Sequence, residues 1–146
     1  MTIPASLKIS RLIKAPRARV FAAWTTPADI QQWLCPGPVR MLEAKVDARV
    51  GGEYHFRMNT PEKGEGAIHG VYREVSPPNK LVFTWSGGCC QIGEGEESLV
   101  TVDFIDKNGA TEVCITHERF PSQEVCDQHA YGWGECFNKL EKLLGQ

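Results

Sequence analysis

The C-terminal apolar stripe is the feature that most constrains the fold of this chain. No proline occurs between residues 122 and 144, and apolar or weakly polar side chains recur there every three or four positions. These side chains are Cys126, His129, Ala130, Trp133, Cys136, Phe137, Leu140, Leu143 and Leu144. The period is that of an amphipathic α-helix, and Ser122 after Pro121 is a suitable N-cap. Because so broad a stripe has to be buried, the rest of the chain must supply a matching apolar surface.

An antiparallel sheet is predicted to supply that surface, since side chains alternate with a period of two from Val39 to His117. The inward positions of its clearest strands are Tyr54, Phe56, Met58, Leu81, Phe83, Trp85, Val100, Val102, Phe104, Val113, Ile115 and His117. A further strand is expected over residues 67–75, and Asn108-Gly109 suits a tight hairpin turn. We therefore expect about six antiparallel strands joined by short turns.

The N-terminal part is predicted to form one strand followed by two short helices. The apolar residues of the strand are Leu7, Ile9, Leu12 and Ile13. Pro16 suits the first turn of one helix, and Thr26 before Pro27 suits the start of a second. A length of 146 residues fits one domain spanning residues 1–146. The sequence thus predicts an α+β domain of about seven strands, with two short helices after strand 1 and a long helix at the C-terminus.

Charge is distributed unevenly along the chain. Met1 to Ala28 contain five basic residues and no acidic one, which leaves a net charge of −7 on the remainder. A basic arm for nucleic acid is one interpretation. The solvated face of a strand is the other, and we prefer it because the charges alternate with apolar residues. The total net charge of −2 also argues against a general nucleic-acid binder.

Compartment and cofactor expectations follow from what the sequence does not contain. There is no apolar run of about 18 residues, so no membrane insertion is expected. The N-terminus has no apolar core typical of a secretory signal, so we expect a cytoplasmic protein with reduced thiols. The six cysteines match no zinc-site spacing, and nucleotide-binding glycine motifs are absent. We predict no metal and no cofactor.

The vicinal pair Cys89-Cys90 is the least ordinary local feature. It follows two glycines and precedes the acidic segment Gly93-Glu94-Gly95-Glu96. One interpretation is a thiol pair that binds a soft metal or oxidises. The other, which we prefer, is a variable hairpin loop with two incidental thiols. The remaining cysteines are interpreted as small residues of the core.

Several local motifs resemble one known family. They are Ala15-Pro16 with Val20-Phe21 and Trp24, Thr26-Pro27 through Trp33, the segment Val46-Asp47-Ala48-Arg49-Val50-Gly51-Gly52, the segment Gly70-Val71-Tyr72-Arg73-Glu74-Val75 with Pro77-Pro78 and Leu81, and His129 with Gly132-Trp133 and Leu140. The order of elements resembles the helix-grip fold of the SRPBCC superfamily, which includes the START and pollen-allergen (Bet v 1) domains. The motifs are similar to those of the family of activators of heat-shock protein 90 ATPase.

The resemblance implies a curved antiparallel sheet wrapped around the long helix, with a cavity between them that accepts a small apolar molecule. It also implies two alternatives, a polyketide cyclase or aromatase and a module that interacts with the chaperone Hsp90. Because the eukaryotic co-chaperones carry a further N-terminal domain, we prefer ligand binding to chaperone activation as the function. We also prefer binding alone to catalysis. A homodimer is a further alternative that the sequence does not test.

The predicted ligand-binding residues combine the inward aromatic pattern with this implied cavity. They are Trp33, Tyr54, Phe56, Met58, Phe83, Trp85, His117, Trp133 and Phe137. An ordinary packed core explains the same pattern, because aromatic side chains bury large areas wherever they occur. A ligand pocket lined by aromatic residues and methionine is the alternative that the resemblance favours.

His117 is the leading polar candidate of this predicted site. It shares a strand face with Val113 and Ile115, which predicts an inward side chain. A satisfied core histidine is the more ordinary interpretation. As a functional group, His117 would orient a ligand or, in the enzymatic alternative, act as a general base. Other polar candidates, with no diagnostic spacing, are His69, His129, Glu43, Tyr54 and Arg73.

Overall fold

Seven strands and three helices make up the structure, a computed structural model that describes residues 5–88, 92 and 97–145. In chain order the elements are β1 (Ala5–Ile13), α1 (Arg17–Thr25), α2 (Pro27–Trp33), β2 (Arg40–Val46), β3 (Glu53–Thr60), β4 (Gly64–Ser76), β5 (Lys80–Trp85), β6 (Ser98–Lys107), β7 (Ala110–Phe120) and α3 (Gln123–Leu144). The predicted α+β architecture is confirmed, including the two short helices after the first strand and the long C-terminal helix.

All neighbouring strands of the sheet pair antiparallel, in the order β1-β7-β6-β5-β4-β3-β2. From β2 to β7 each strand pairs with the next in the chain, so short connections suffice. At the predicted hairpin, Asn108 and Gly109 have φ values of 56° and 93°. Both residue types tolerate positive φ, so this turn joins β6 and β7 without strain.

Strand β4 passes unusually close to β5 at Gly70. A Cβ at this position would lie 2.0 Å from the carbonyl oxygen of Thr84. The same carbonyl accepts a hydrogen bond from the hydroxyl of Tyr54 on β3. Glycine at position 70 therefore lets three strands approach one another at the end of the sheet that carries Trp85.

Helix α3 contacts β1, β7 and α2. It begins as predicted, with the Ser122 hydroxyl accepting a 3.2 Å hydrogen bond from the backbone N–H of Val125. Its buried residues are Val125, Cys126, Trp133, Cys136, Phe137 and Leu140. These side chains join the inward residues of the strands in a single core, which includes every aromatic residue of β3 and β5. The predicted burial of the stripe on the sheet is confirmed.

Strand β1 differs from its predicted pattern at one pair of residues. Leu12, assigned to the apolar face, is 50% exposed, whereas Arg11 points to the inner side. The guanidinium of Arg11 lies over the ring of Phe137, 5.4 Å from its centroid, and donates to Asn138 and to the carboxylate of Glu141. The charge is tolerated there because α3 supplies an acceptor and an aromatic face.

The first helix begins at Arg17 rather than Pro16, which occupies the cap position. Cys35, Cys126 and Cys136 are buried, and Cys114 is partly buried. Cys89-Cys90 and residues 93–96 lie outside the described residues. Within the described ranges, no helix is long and apolar enough to cross a membrane.

Candidate functional site

A half-open cavity of about 150 Å³ lies between the sheet and α3. Its lining residues are Leu34, Pro36, Val39, Met58, Thr60, Ile68, Trp85, Gln128, His129, Gly132, Trp133 and Cys136. They come from β3, β4, β5, α3 and the segment that follows α2. The curved sheet and the helix therefore diverge enough at this end to leave space that the side chains do not fill.

Burial divides the lining into two parts. The inner wall consists of the lining residues that are at most 6% exposed, namely Leu34, Met58, Ile68, Trp85, Trp133 and Cys136. The mouth consists of the more exposed ones, namely Pro36, Val39, Thr60, Gln128 and Gly132. His129 is partly buried, like most residues of the mouth, and it is joined to the inner wall by its hydrogen bond with Trp85. The cavity therefore has an apolar interior and one end that faces water.

The segment that forms one side of the mouth is attached to α3 by a lysine. Lys139 Nζ donates to the carbonyl oxygens of Cys35 and Gly37, at 2.7 and 2.8 Å. Between these two residues, Pro36 faces Gly132, and a Cβ built on Gly132 would lie 3.7 Å from Pro36 Cβ. The position of this side of the mouth is thus determined by charge-assisted hydrogen bonds to the helix.

His129 is fixed by two hydrogen bonds at the cavity surface. Its Nδ1 lies 2.8 Å from the carbonyl oxygen of Val125, and its Nε2 accepts a 3.2 Å hydrogen bond from the indole N–H of Trp85. Because a carbonyl can only accept, the proton of the neutral ring is on Nδ1. Burial lowers the pKa of His129, although its hydrogen bond to Val125 opposes this effect. The imidazole is neutral at pH 7.

His117 is fully buried behind the cavity. Trp133 Nε1 donates to His117 Nδ1 at 3.0 Å, and Ser98 Oγ lies 2.8 Å from Nε2. The ring proton is therefore on Nε2 and is donated to Ser98, whose hydroxyl is donated in turn to the carbonyl of Trp85 at 2.6 Å. Burial, with a smaller contribution from His129, lowers the pKa of His117 to about 2. Both nitrogens of this neutral ring are occupied, so it serves to hold Trp133 in place.

Three of the nine predicted wall residues line the cavity: Met58, Trp85 and Trp133. The other six, Trp33, Tyr54, Phe56, Phe83, His117 and Phe137, are buried in the core and do not line it. Trp33 donates its indole N–H to the carbonyl of Ala23, and Phe137 lies beneath Arg11. The cavity wall thus lies nearer the end of the sheet that carries Trp85 than the sequence predicted.

The remaining polar candidates are distributed over the surface, apart from His129 and Tyr54. His69 is exposed, Glu43 lies near Lys45, and Arg73 lies 3.8 Å from Glu97. None of these three lines the cavity. Over the described ranges, no group of three or more His, Cys, Asp or Glu side chains is arranged to hold a metal ion.

Nine lining residues were not among the predicted wall, and most belong to segments whose position depends on tertiary packing. Leu34, Pro36 and Val39 follow α2, where the sequence shows a helix stop but not where the chain then runs. Gln128, Gly132 and Cys136 share one side of α3 with Trp133. The signal that identifies this set is the spacing of four residues between its members, with Cys136 three residues after Trp133.

Comparison with known proteins agrees with this geometry. The sequence model of the family described as "Activator of Hsp90 ATPase homolog 1-like protein" matches residues 14–145. The chain belongs to this family. Among curated members, the human "Activator of 90 kDa heat shock protein ATPase homolog 1" is 29% identical over 90 residues, which are 62% of this chain and 24% of the human protein. The chain therefore matches about a quarter of the length of that relative.

Solved structures of the same fold cover nearly the whole family domain. A crystal structure of a protein from Chromobacterium violaceum has a TM-score of 0.86 at 23% identity, covering 98% of this chain and 99% of that one. An Hsp90 activator from Plasmodium falciparum has a TM-score of 0.76 at 26% identity, covering 96% of each chain. The resemblance inferred from the sequence motifs, to the Hsp90 ATPase activator family and its helix-grip fold, is confirmed.

Proposed function

We propose that this family domain binds a small apolar molecule in the cavity between the sheet and α3. The observation that supports the proposal is the inner wall, where two indole rings, Met58 and aliphatic side chains surround unfilled space. Protein interiors are usually packed to the density of organic crystals, so a cavity larger than several water molecules is unusual. A wall of this composition holds apolar ligands better than it holds water.

The volume limits the size of the ligand. In another protein, an engineered apolar cavity of about 150 Å³ stays dry and binds benzene or xenon. The cavity described here has the same volume, about 150 Å³. The ligand that fits without rearrangement is therefore the size of one six-membered ring or a short alkyl chain. Toluene is a suitable probe.

The test uses the two glycines of α3 that differ in their surroundings. A Cβ at Gly132 would meet Pro36 at the mouth, whereas a Cβ at Gly134 would meet nothing within 4 Å. Gly132→Leu should place an isobutyl group in the cavity, while Gly134→Leu adds the same group, with the same gain in helix propensity, away from it. Toluene titrations followed by calorimetry and by NMR shifts of Trp85 and Trp133 would measure binding.

We expect the wild-type domain and Gly134→Leu to bind toluene with affinities within about twofold, and Gly132→Leu to bind at least about tenfold more weakly, because the space for one ring is lost. Thermal unfolding of both variants serves as the folding control. Toluene binding that is equal in all three proteins, or absent from the wild-type domain, would show that the cavity is not the binding site.

A second candidate function is interaction with an Hsp90-type chaperone. It is favoured by the family itself and by the relatives described as Hsp90 activators in human and in Plasmodium falciparum. The measurement is the ATPase rate of a purified Hsp90-type chaperone with and without the domain. Because such an interface would lie on the surface, stimulation should be the same with Gly132→Leu. No change in ATPase rate would remove this candidate.

The enzymatic alternative receives less support from the geometry. It requires His117 as a general base with a carboxylate or tyrosine near its ring. The hydrogen-bond partners of His117 are Ser98 and Trp133 instead, and a pKa of about 2 leaves the ring a weak base. The proposed binding does not use His117 to orient the ligand, because both ring nitrogens have protein partners and the ring lies behind the wall.

A further inference from the structure

Two hydrogen-bond chains occupy the polar side-chain atoms behind and beside the inner wall. In the first, Trp85 donates to His129, whose Nδ1–H donates to the carbonyl of Val125. In the second, Trp133 donates to His117, His117 donates to Ser98, and Ser98 donates to the carbonyl of Trp85. Both tryptophans that face the cavity therefore donate their N–H groups to a histidine.

Neither histidine retains an atom with which to bind a ligand. A neutral imidazole has one donor and one acceptor nitrogen, and in both rings each nitrogen has a protein partner. His129, which borders the cavity, is held in this state by Trp85 on one side and Val125 on the other. Apart from the two indole N–H groups, the side chains of the inner wall contain only carbon and the sulfur atoms of Met58 and Cys136, and sulfur is a weak hydrogen-bonding partner.

The mouth has the opposite chemistry. Thr60 contributes a hydroxyl and Gln128 an amide to the lining, and Gln128 is exposed while Thr60 is partly buried. A polar group placed there remains in contact with water. A polar group at the inner wall would lose its water and gain no partner, which is costly for a hydroxyl.

We infer that the ligand class of this cavity is a single-ring or short-chain molecule with an apolar end, bound against Trp85 and Trp133, and at most one polar end, which stays at the mouth. The inference rests on the proposed function and adds the orientation and the number of polar ends that the cavity accepts. It follows from the two hydrogen-bond chains, which occupy the polar side-chain atoms on the inner side, and from the contact of the mouth with water.

A series of three ring compounds of similar shape tests the inference. Toluene has two apolar ends, 4-methylphenol has one polar end, and benzene-1,4-diol has two. The hydroxyl of 4-methylphenol can remain at the mouth, so its affinity should be within about threefold of that of toluene. One hydroxyl of benzene-1,4-diol must face the inner wall, so its affinity should be at least about tenfold below that of 4-methylphenol.

The outcome separates this inference from the function on which it rests. If toluene fails to bind, the proposed function fails. If toluene binds and benzene-1,4-diol binds as tightly as 4-methylphenol, the cavity is a ligand site but the inference is overturned. Equal losses of affinity at the first and the second hydroxyl would also overturn it, because they would show that the two ends of the cavity are alike.

A variant tests the part played by the hydrogen-bond chain. Trp85→Phe removes the N–H that occupies His129 Nε2, so an acceptor becomes available at the cavity. The affinity ratio between 4-methylphenol and benzene-1,4-diol should then fall below about threefold. Trp33→Phe removes an indole that donates to Ala23 away from the cavity, and it should leave the ratio unchanged. An unchanged ratio in Trp85→Phe would contradict the assigned role of the chain, and the wild-type series remains decisive if that variant does not fold.

Discussion

Protonation of His117 in the unfolded chain should make the stability of the domain strongly dependent on pH below neutrality. In the folded protein, burial lowers the pKa of His117 to about 2, and the lone pair of its Nδ1 accepts the indole N–H of Trp133. In the unfolded chain the pKa returns to about 6.5. Below pH 6.5 the unfolded state therefore binds a proton that the folded state does not, and stability falls as the pH falls.

The magnitude follows from the difference between the two pKa values. Each pH unit between them changes the free energy of unfolding by about 1.4 kcal/mol for one group. Between pH 7.5 and pH 4.5 about two units lie below 6.5, which gives a loss of about 2 to 3 kcal/mol from His117 alone. This is a large part of the total stability of a typical domain, about 5 to 15 kcal/mol.

The assay is urea unfolding at a series of pH values, for the wild-type protein and His117→Gln. Glutamine can accept a hydrogen bond from Trp133 and donate one to Ser98, but it does not titrate. The carboxylates are common to both proteins, so their contributions cancel in the comparison, and the coupling of His129 to His117 is smaller than the effect of burial. The wild-type protein should lose about 2 to 3 kcal/mol more than the variant on acidification. Parallel stability curves would refute the assignment of His117 as a buried, neutral, doubly bonded ring.

Three further predictions concern the framework of the cavity. Gly70→Ala should lower the free energy of unfolding by about 2 kcal/mol or more in urea unfolding, because its Cβ would lie 2.0 Å from the Thr84 carbonyl oxygen. Ser122→Ala should cost about 1 kcal/mol in the same measurement, since the N–H of Val125 loses its cap. Lys139→Met should increase the dissociation rate of toluene measured by NMR exchange, because the mouth loses its attachment to α3.

Matched variants check these three predictions. A Cβ at Gly88 meets nothing within 4 Å, so Gly88→Ala should be nearly neutral; a loss equal to that of Gly70→Ala would contradict the steric argument. Ser122→Asp retains a capping oxygen and should keep the helix stable, and a Ser122→Ala variant as stable as the wild type would show that the cap is unimportant. Lys139→Arg retains the charge and serves as the matched variant. An unchanged dissociation rate of toluene in Lys139→Met would show that this contact does not control the mouth.

Alternation along the strands predicted which side chains of the sheet are buried. His117 was expected to point inward from its spacing to Val113 and Ile115, and it does. Its partners could not be predicted in the same way, because Ser98 and Trp133 reach the ring from β6 and α3. Strand register and helix placement decide these contacts, and neither is a local property of the sequence.

The same limit explains two differences between the predicted pattern and the structure. On β1 the apolar residue Leu12 points outward and Arg11 points inward. Side chains alternate strictly along the strand from Ile9, so Arg11 must share the inner side, where Glu141 is available as its partner. At the cavity, inward orientation was necessary but not sufficient. Phe83 and Trp85 share a strand face, and only Trp85 reaches the end of the sheet where the helix diverges.

The tryptophans also provide the protein with an internal optical reporter. The ring centroid of Trp24 lies 4.6 Å from that of Trp33 and 5.9 Å from that of Trp133, and the centroids of Trp133 and Trp85 are 5.2 Å apart. All four indoles of the chain therefore form one contiguous cluster. Chromophores this close share their excited states, so near-ultraviolet circular dichroism will record them together. A molecule that enters the cavity touches two of the four directly, and its arrival will perturb the spectrum of the whole group without any added label.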